Sequence, residues 1–477
     1  METQLILWIM AAYFGLLLLI SFRVGKSSGN DAFFTGNRRA PWYVVSIGMI
    51  GSSISGLSVI SVPGMVAGNG FLYLQTVVGF FFGYLILAKV LLPVYYKIDS
   101  PSIYTYLNTR LGKNAYFSGA WFFLLSKIMG ASAKVYVVVL VMHSFVLQNA
   151  GISFEATAIA VIFLVWLYTF QSGTKTIVWT DLLQTILMVA AMVLMLVLFS
   201  QKLDLNLHGI WQTVRDSDMA QTIEWKDWGS RQHVVKQFFS GIFIVLVMTG
   251  LDQEMIQKNK TIRTLKDAQK NMYYYGFMFL PINLILLVTG VLMYQYAFKN
   301  GITLPDSPDS VLPVIITQHM DHFWATLLLV VGIVSATFSG ADSSMTSITT
   351  TVCVDIFNKP SSVAFRRIVH VLVAVVFVLF ILLFRFLNSM TLIDAIYTMA
   401  SYTYGPLLGL FAFGLYTKRQ VRNAPVPFIA IGSPLICFAI QWFFNRFYQY
   451  HFGYELLMMN GLITFVGLYI FSKKQKS

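Results

Sequence analysis

Charge is what this chain of 477 residues has least of: Asp, Glu, Lys and Arg together make up 11% of it, against 57% hydrophobic residues. Soluble domains carry about 25% charged residues, so the composition excludes a cytosolic enzyme and a disordered chain. Cysteine is nearly missing as well. Cys353 and Cys437 cannot staple a chain of this length, and both sit in apolar runs where a small buried hydrophobe is expected. A secreted disulfide scaffold is thereby excluded. The sequence also lacks a P-loop, a glycine-rich phosphate cradle and a Ser-His-Asp order, so neither an enzyme nor an organic cofactor is expected. His319 and His322 form an H-x-x-H pair with no third ligand in sight, too little for a metal centre. No polar stretch is long enough to fold as a nucleic-acid-binding domain, so the net charge of +13 needs another explanation.

What the sequence has in abundance is long apolar runs. A hydrocarbon core of ~30 Å takes about 20 apolar residues per helix. Thirteen such runs are read at 4–22, 42–66, 71–96, 115–147, 153–170, 176–200, 235–256, 272–298, 321–357, 366–387, 390–417, 426–446 and 454–472. The first lacks a basic leader and a small-residue cleavage site, and reads as a retained anchor. Arg23 and Lys26 follow it directly, which places the amino terminus outside. Alternating from there, basic residues such as Arg38, Arg39, Arg110, Lys258, Lys260, Lys266 and Lys473 crowd the inner segments, and far fewer, among them Lys202 and Arg215, fall outside. The positive charge therefore reports orientation, with the carboxyl terminus cytoplasmic. Lys89, Lys127 and Lys134 lie inside hydrophobic runs. The fold class is an all-α polytopic membrane protein, one transmembrane domain over 1–477. Residues 201–235 are its long outer loop, where Trp211, Trp225 and Trp228 suggest a short amphipathic surface helix.

Two runs are poor continuous helices. From Ile50 to Gly64 the chain places three glycines, five serines and a proline within one span. Carbonyls freed by a break there need partners, and a cation is one such partner. A second, weaker break is read at Thr249-Gly250, ahead of Asp252, Gln253 and Glu254. With the anchor set aside these are the first and sixth spans, the spacing of two inverted repeats of five helices. Tight packing of small residues is the competing explanation for either stretch alone.

Four motifs in order carry a resemblance over essentially the whole chain: Gly51-Ser-Ser-Ile-Ser55, Trp179-Thr-Asp-Leu-Leu-Gln184, Gly250-Leu-Asp-Gln-Glu-Met-Ile-Gln257 with Lys266-Asp-Ala-Gln-Lys-Asn271, and Ser335-Ala-Thr-Phe-Ser-Gly-Ala-Asp-Ser-Ser344. With these the chain resembles the sodium/solute symporter family. The resemblance implies a LeuT-type fold: an anchor helix (4–22), a first repeat over 42–200, a second over 235–417 and two further helices over 426–472. It also implies Na⁺, one or two ions, as the coupling partner of a small solute. Carried over by motif position, the shared sodium site takes carbonyls of Gly51, Ile54 and Ala336 and the hydroxyl of Ser339. Where many members have a second hydroxyl after that serine, this chain has Gly340. A second cation site would fall on Asp181, Asp342 and Ser343, with Asp342 in place of a hydroxyl.

For the solute, Ser53, Ser55 and Ser58 on the broken stretch and Gln75 beyond it are polar groups facing the expected cavity. Lys134 falls where sialic-acid-carrying members have a carboxylate-binding arginine, and the acidic and tyrosine contacts of galactose-type members are missing. Met248 stands where those members have a gating tyrosine, and Tyr402 and Thr403, beside a Gly-Pro kink, are candidates for the outer gate. The expected protein is an inner-membrane, multi-pass, monomeric symporter of a polar anion, a sugar acid or other carboxylate. A neutral sugar or amino acid is the alternative solute, and a transporter-like sensor the alternative class.

Overall fold

The structure, a computed structural model, describes all residues except 1, 25–28, 99, 148–150, 171–172, 321–322, 388–391, 451 and 475–477. Lys26 and His322 thus lie outside the described residues. The chain is built from helices: α1 (Glu2–Val24), α2 (Trp42–Ser53), α3 (Gly56–Gly64), α4 (Tyr73–Lys97), α5 (Lys113–Met142), α6 (Phe154–Thr169) and α7 (Thr174–Lys202). After the outer loop follow α8 (Val234–Gly250), α9 (Gln253–Asn259), α10 (Leu265–Lys299), α11 (Phe323–Ile356), α12 (Val363–Leu387), α13 (Leu392–Tyr416), α14 (Val426–Tyr448) and α15 (Leu456–Ile470). Among the described residues seven helices are long and apolar enough to cross a membrane, and nine if each bent pair counts as one. The multi-pass membrane reading holds.

Both expected breaks are present. α2 and α3 meet at 58°, because Ile54 (φ −84°, ψ 91°) and Ser55 (φ −77°, ψ 166°) are extended. α8 and α9 meet at 70°. The second break falls slightly later than the Thr249-Gly250 expected: a wide π turn runs through Leu246–Gly250, and Asp252 is the extended residue. Asp252 then caps α9, accepting from the N–H groups of Glu254 (2.9 Å) and Met255 (3.4 Å). A carboxylate at a helix start satisfies donors that the helix itself leaves open.

The layering follows the chemistry of each helix. In α11 every residue from Ile333 to Thr351 is buried, although the stretch is crowded with Ser and Thr. Around it pack α2, α5, α7 and α12. On the outside, α12 and α14 turn Leu372, Leu379, Phe428, Leu435 and Phe438 outward, as lipid contact requires. The loop at 201–235 forms a short α-helix, Leu207–Arg215, capped by Asn206 and carrying the exposed Trp211, then a 3₁₀ turn, Asp218–Ala220; Trp225 and Trp228 stand in irregular chain beyond them. A two-residue antiparallel pairing of Gln420–Val421 with Ser472–Lys473 ties the carboxyl-terminal segment back to the end of α13.

Candidate cation and solute site

The α2–α3 break faces the middle of α11. Gly51 lies against α7 so closely that a Cβ there would stand 2.3 Å from the Thr185 hydroxyl and 3.4 Å from Ser339 Oγ. Only glycine permits that approach, and it brings the broken backbone onto both helices. The Gly51 N–H donates to Thr185 Oγ1 (3.2 Å), and the Gly56 N–H, on the far side of the break, donates to Thr337 Oγ1 (3.1 Å). Ile54, Ala336 and Ser339 are all buried here. The four positions expected for a shared sodium site therefore lie on two elements in contact.

Ser339 does more than face the break. Its hydroxyl donates to Asp181 Oδ1 at 2.6 Å and lies 2.9 Å from Ser52 Oγ. Asp181 Oδ2 in turn is 2.6 Å from the ammonium of Lys258, which also donates to Ser52 Oγ. Lys258, Ser52, Ser339 and Asp181 thus form a closed ring from α9, α2, α11 and α7. Lys258 had been assigned to an inner loop; the structure corrects that, with its side chain only 3% exposed. Asp342 belongs to a different set of partners, accepting from Tyr168 (3.0 Å) and from Ser343 (3.0 Å). It has no basic side chain within ion-pair distance among the described residues.

A cavity of ≈110 Å³ adjoins the ring. Ser53, Ser55 and Ser58 from the break line it, as do Lys127 and Lys134 of α5, Met248 of α8, and Gly340 and Ser344 of α11. The two lysines, one heptad apart, behave differently. Lys127 is clamped by Asp252 (2.8 Å) and Glu254 (2.7 Å). Asp252 also accepts from Tyr404 (2.6 Å), and Glu254 from Ser344 (2.7 Å). Lys134, half-buried in the same wall, has no carboxylate within 4.0 Å among the described residues.

Three expected positions lie elsewhere. Gln75 does not line the cavity; its amide donates to the carbonyls of Leu72 and Gln232 and accepts from Glu224 N, fastening the outer loop to α4. The Glu224 carboxylate, accepting from the N–H groups of Asp227 and Lys226, is held below the usual carboxylate range. Tyr402 turns away from the cavity, donating to Gln441 of α14, and Thr403 bonds back to the Met399 carbonyl (2.8 Å). The aromatic residues of α13 that do line the cavity are Tyr397 and Tyr404. Tyr397 packs edge-on against Tyr454 (4.9 Å), and Tyr454 lines a second, wider cavity of ≈1050 Å³. This ring pair therefore joins the walls of the two cavities.

Asp252, Glu254, Lys258 and Ser52 join the site without being expected there from the sequence, and Tyr404, in the stretch expected to form the gate, lines the cavity in place of Tyr402 and Thr403. One signal was available: two lysines in a hydrophobic run need carboxylates, and Asp252 and Glu254 were as near in topology as Asp181 and Asp342.

The chain is similar to known transporters over most of its length. It is 22% identical over 440 residues to a sodium/sialic acid symporter of Proteus mirabilis, covering 89% of this chain and 87% of the relative. It is 24% identical over 341 residues to the human sodium-coupled monocarboxylate transporter 2, covering 70% of this chain and 53% of that one. Its fold matches a solved Na⁺-coupled sialic acid symporter in a substrate-bound outward-open state with a TM-score of 0.80, at 18% identity, over 100% of this chain and 99% of the other. The sequence pattern of the sodium:solute symporter family matches residues 33–425, and the chain belongs to that family.

Proposed function

We propose that this protein couples the inward movement of Na⁺ to import of a small polar anion, a sialic-acid-like sugar acid or another carboxylate. The observation that carries the anionic reading is Lys134. Its neighbour Lys127 is satisfied by two carboxylates, whereas Lys134 reaches the cavity with none within 4.0 Å among the described residues. An ammonium in mid-membrane costs roughly 2.5–3.5 kcal/mol even on the lenient scale, and a solute carboxylate supplies the missing counter-charge. Ser55 and Ser58 then orient the hydroxyl or amide end of the solute, with Ser53 held toward Tyr275. Relatives that carry sialic acid and monocarboxylates support the same class.

For the cation, the proposal places one Na⁺ among the carbonyls of Gly51, Ile54 and Ala336 and the hydroxyl of Ser339. Na⁺ wants oxygen ligands, and unwound backbone at a half-helix end supplies them. Asp342, with Ser343 and the nearby Asp181, is the place for a second cation, because a buried carboxylate held only by hydroxyls invites one. The architecture that goes with this is thirteen spans, α1 outside two inverted repeats of five, each opening on a bent pair. The amino terminus lies outside and the carboxyl terminus in the cytoplasm, and the chain works as a monomer in the inner membrane. The charge distribution of the inner segments supports that orientation.

The test is solute-dependent ²²Na⁺ uptake in proteoliposomes, with a stability screen of sugars, amino acids and carboxylates. Uptake driven by a carboxylate is expected. With Lys134→Gln, solute binding should collapse while Na⁺ binding persists. Stabilisation by a neutral sugar alone would overturn the anionic assignment.

A further inference from the structure

We propose that Lys258 is a tethered cation that flanks the sodium site in the ion-free protein, holding Asp181 and Ser52 beside Ser339, and is displaced when Na⁺ binds; this rests on the sodium-coupled reading above. The ammonium sits one contact away from the proposed ion ligand Ser339: it bonds Asp181 Oδ2 (2.6 Å) and Ser52 Oγ, and the same Ser52 and Asp181 bond Ser339 (2.9 and 2.6 Å). Both members of the ion pair are essentially buried, at 3% and 1% exposure. Na⁺ liganded by Ser339 beside Asp181 places a second positive charge next to an ammonium already in contact with that carboxylate, and the two cations repel each other across it.

Lys258 has somewhere to go. Glu254 stands one turn earlier on α9, and its Oε1 is already 4.0 Å from the ammonium. A small void of ≈10 Å³, about the size of one water, adjoins both, lined also by Thr174, Ser343 and Thr346. Rotation of the lysine stem into it exchanges Asp181 for Glu254. Glu254 is also one of the two acids holding Lys127 (2.7 Å). A second ammonium arriving there loosens Lys127 toward the cavity and raises the positive charge available to an anionic solute. Sodium arrival is thereby relayed to the solute through two lysines and one glutamate, without a change in the backbone.

The experiment titrates NaCl against choline chloride at constant ionic strength, without solute, and reads thermal stability of the full-length protein. A site held by Lys258 nine-tenths of the time weakens apparent Na⁺ affinity about tenfold. Lys258→Gln should therefore lower the Na⁺ midpoint by up to about tenfold and uncouple solute binding from Na⁺. Lys258→Arg, always charged and able to grip a carboxylate with two N–H groups, should raise the midpoint. Midpoints unmoved in both variants, or raised in both, make Lys258 a structural ion-pair partner and overturn the proposal. If the glutamine variant does not fold, the arginine variant decides alone, an unmoved midpoint being the overturning result. A wild-type protein that carries solute with no response to Na⁺ defeats the symport reading and this inference together; a sodium-responsive wild type with unresponsive variants defeats this inference only.

Discussion

The two broken helices have the same shape and opposite chemistry. At the first break, α2–α3, the polar side chains are hydroxyls and two residues are extended, with no charged residue between Trp42 and Gly64. At the second, α8–α9, the break is marked by Asp252 and followed by Glu254 and Lys258, all buried. The first break is the one proposed to offer carbonyls to an ion; the second offers charges that hold neighbouring helices and, in α5, a lysine. Breaking a helix in a membrane is thus not a single device. Where small residues cause it, the break frees backbone groups. Where a capping carboxylate causes it, the break brings a buried charge, which must be neutralised by a partner from another helix.

The largest expected effect comes from the charged break. Lys127→Met leaves Asp252 and Glu254 without their shared ammonium. Removing one member of a buried ion network costs about 3–5 kcal/mol, so a large fall in melting temperature and in the yield of folded protein is expected. Adding Glu254→Gln should restore part of the loss, since Asp252 keeps its cap on α9 and its bond from Tyr404. A Lys127→Met protein as stable as wild type would mean that the acids at this break are not held by charge.

At the hydroxyl break the expected effect is smaller and falls on ion affinity instead of stability. Ser339→Ala removes a hydroxyl that bonds Asp181 at 2.6 Å and faces the broken backbone. A hydrogen bond to a charged group is worth about 1.5–3 kcal/mol, so the Na⁺ midpoint should rise about tenfold or more. Solute affinity measured at saturating Na⁺ should hardly move. Equal losses in both measurements would show that Ser339 supports the cavity and not the ion.

How much of this was legible in the sequence follows the same divide. The apolar runs coincide with helices to within a few residues, except that α10 begins at Leu265 and not near 272, because a run of that length and apolar composition leaves the chain few choices besides helix; seven of the helices, or nine with the bent pairs, have the length and composition to cross a membrane. The first break was legible because glycine, serine and proline announce an interrupted helix wherever they cluster. The second was located but not understood: its meaning lies in Lys127 and Asp181, more than seventy residues away, and pairing across that distance leaves no local pattern. Lys258 was misplaced for a related reason. A lysine just past an apolar run reads as an inner-loop charge unless the short helix carrying it is known to fold back into the core. On α13 the sequence identified the segment and not the face. Tyr402, Thr403 and Tyr404 differ by about 100° each around a helix, and a helix apolar on all sides gives no periodicity to say which one points inward.

The smallest effect, and the one that sharpens the comparison most, is a gain at the hydroxyl break. Gly340 lies on α11 one residue past Ser339, lines the cavity, and a Cβ there would meet only the Ser52 carbonyl, at an ordinary 3.6 Å. A serine side chain therefore fits without displacing a neighbour, unlike at Gly51, where Thr185 fills the space. Replacing glycine inside a helix also recovers part of its propensity cost, about 0.5 kcal/mol. The new hydroxyl, following helical habit, donates its hydrogen to the carbonyl four residues back. That carbonyl is Ala336, one of the oxygens assigned to the ion, and the hydroxyl keeps lone pairs to offer a cation on the same side. Gly340→Ser should then lower the Na⁺ midpoint by about threefold, the scale of one modest additional polar contact, with solute affinity at saturating Na⁺ unchanged. A midpoint that rises instead would mean that the Ala336 carbonyl serves the ion and loses that role once bonded. One that stays put would move the ion away from this stretch of α11, toward Asp342 and the charged half of the site.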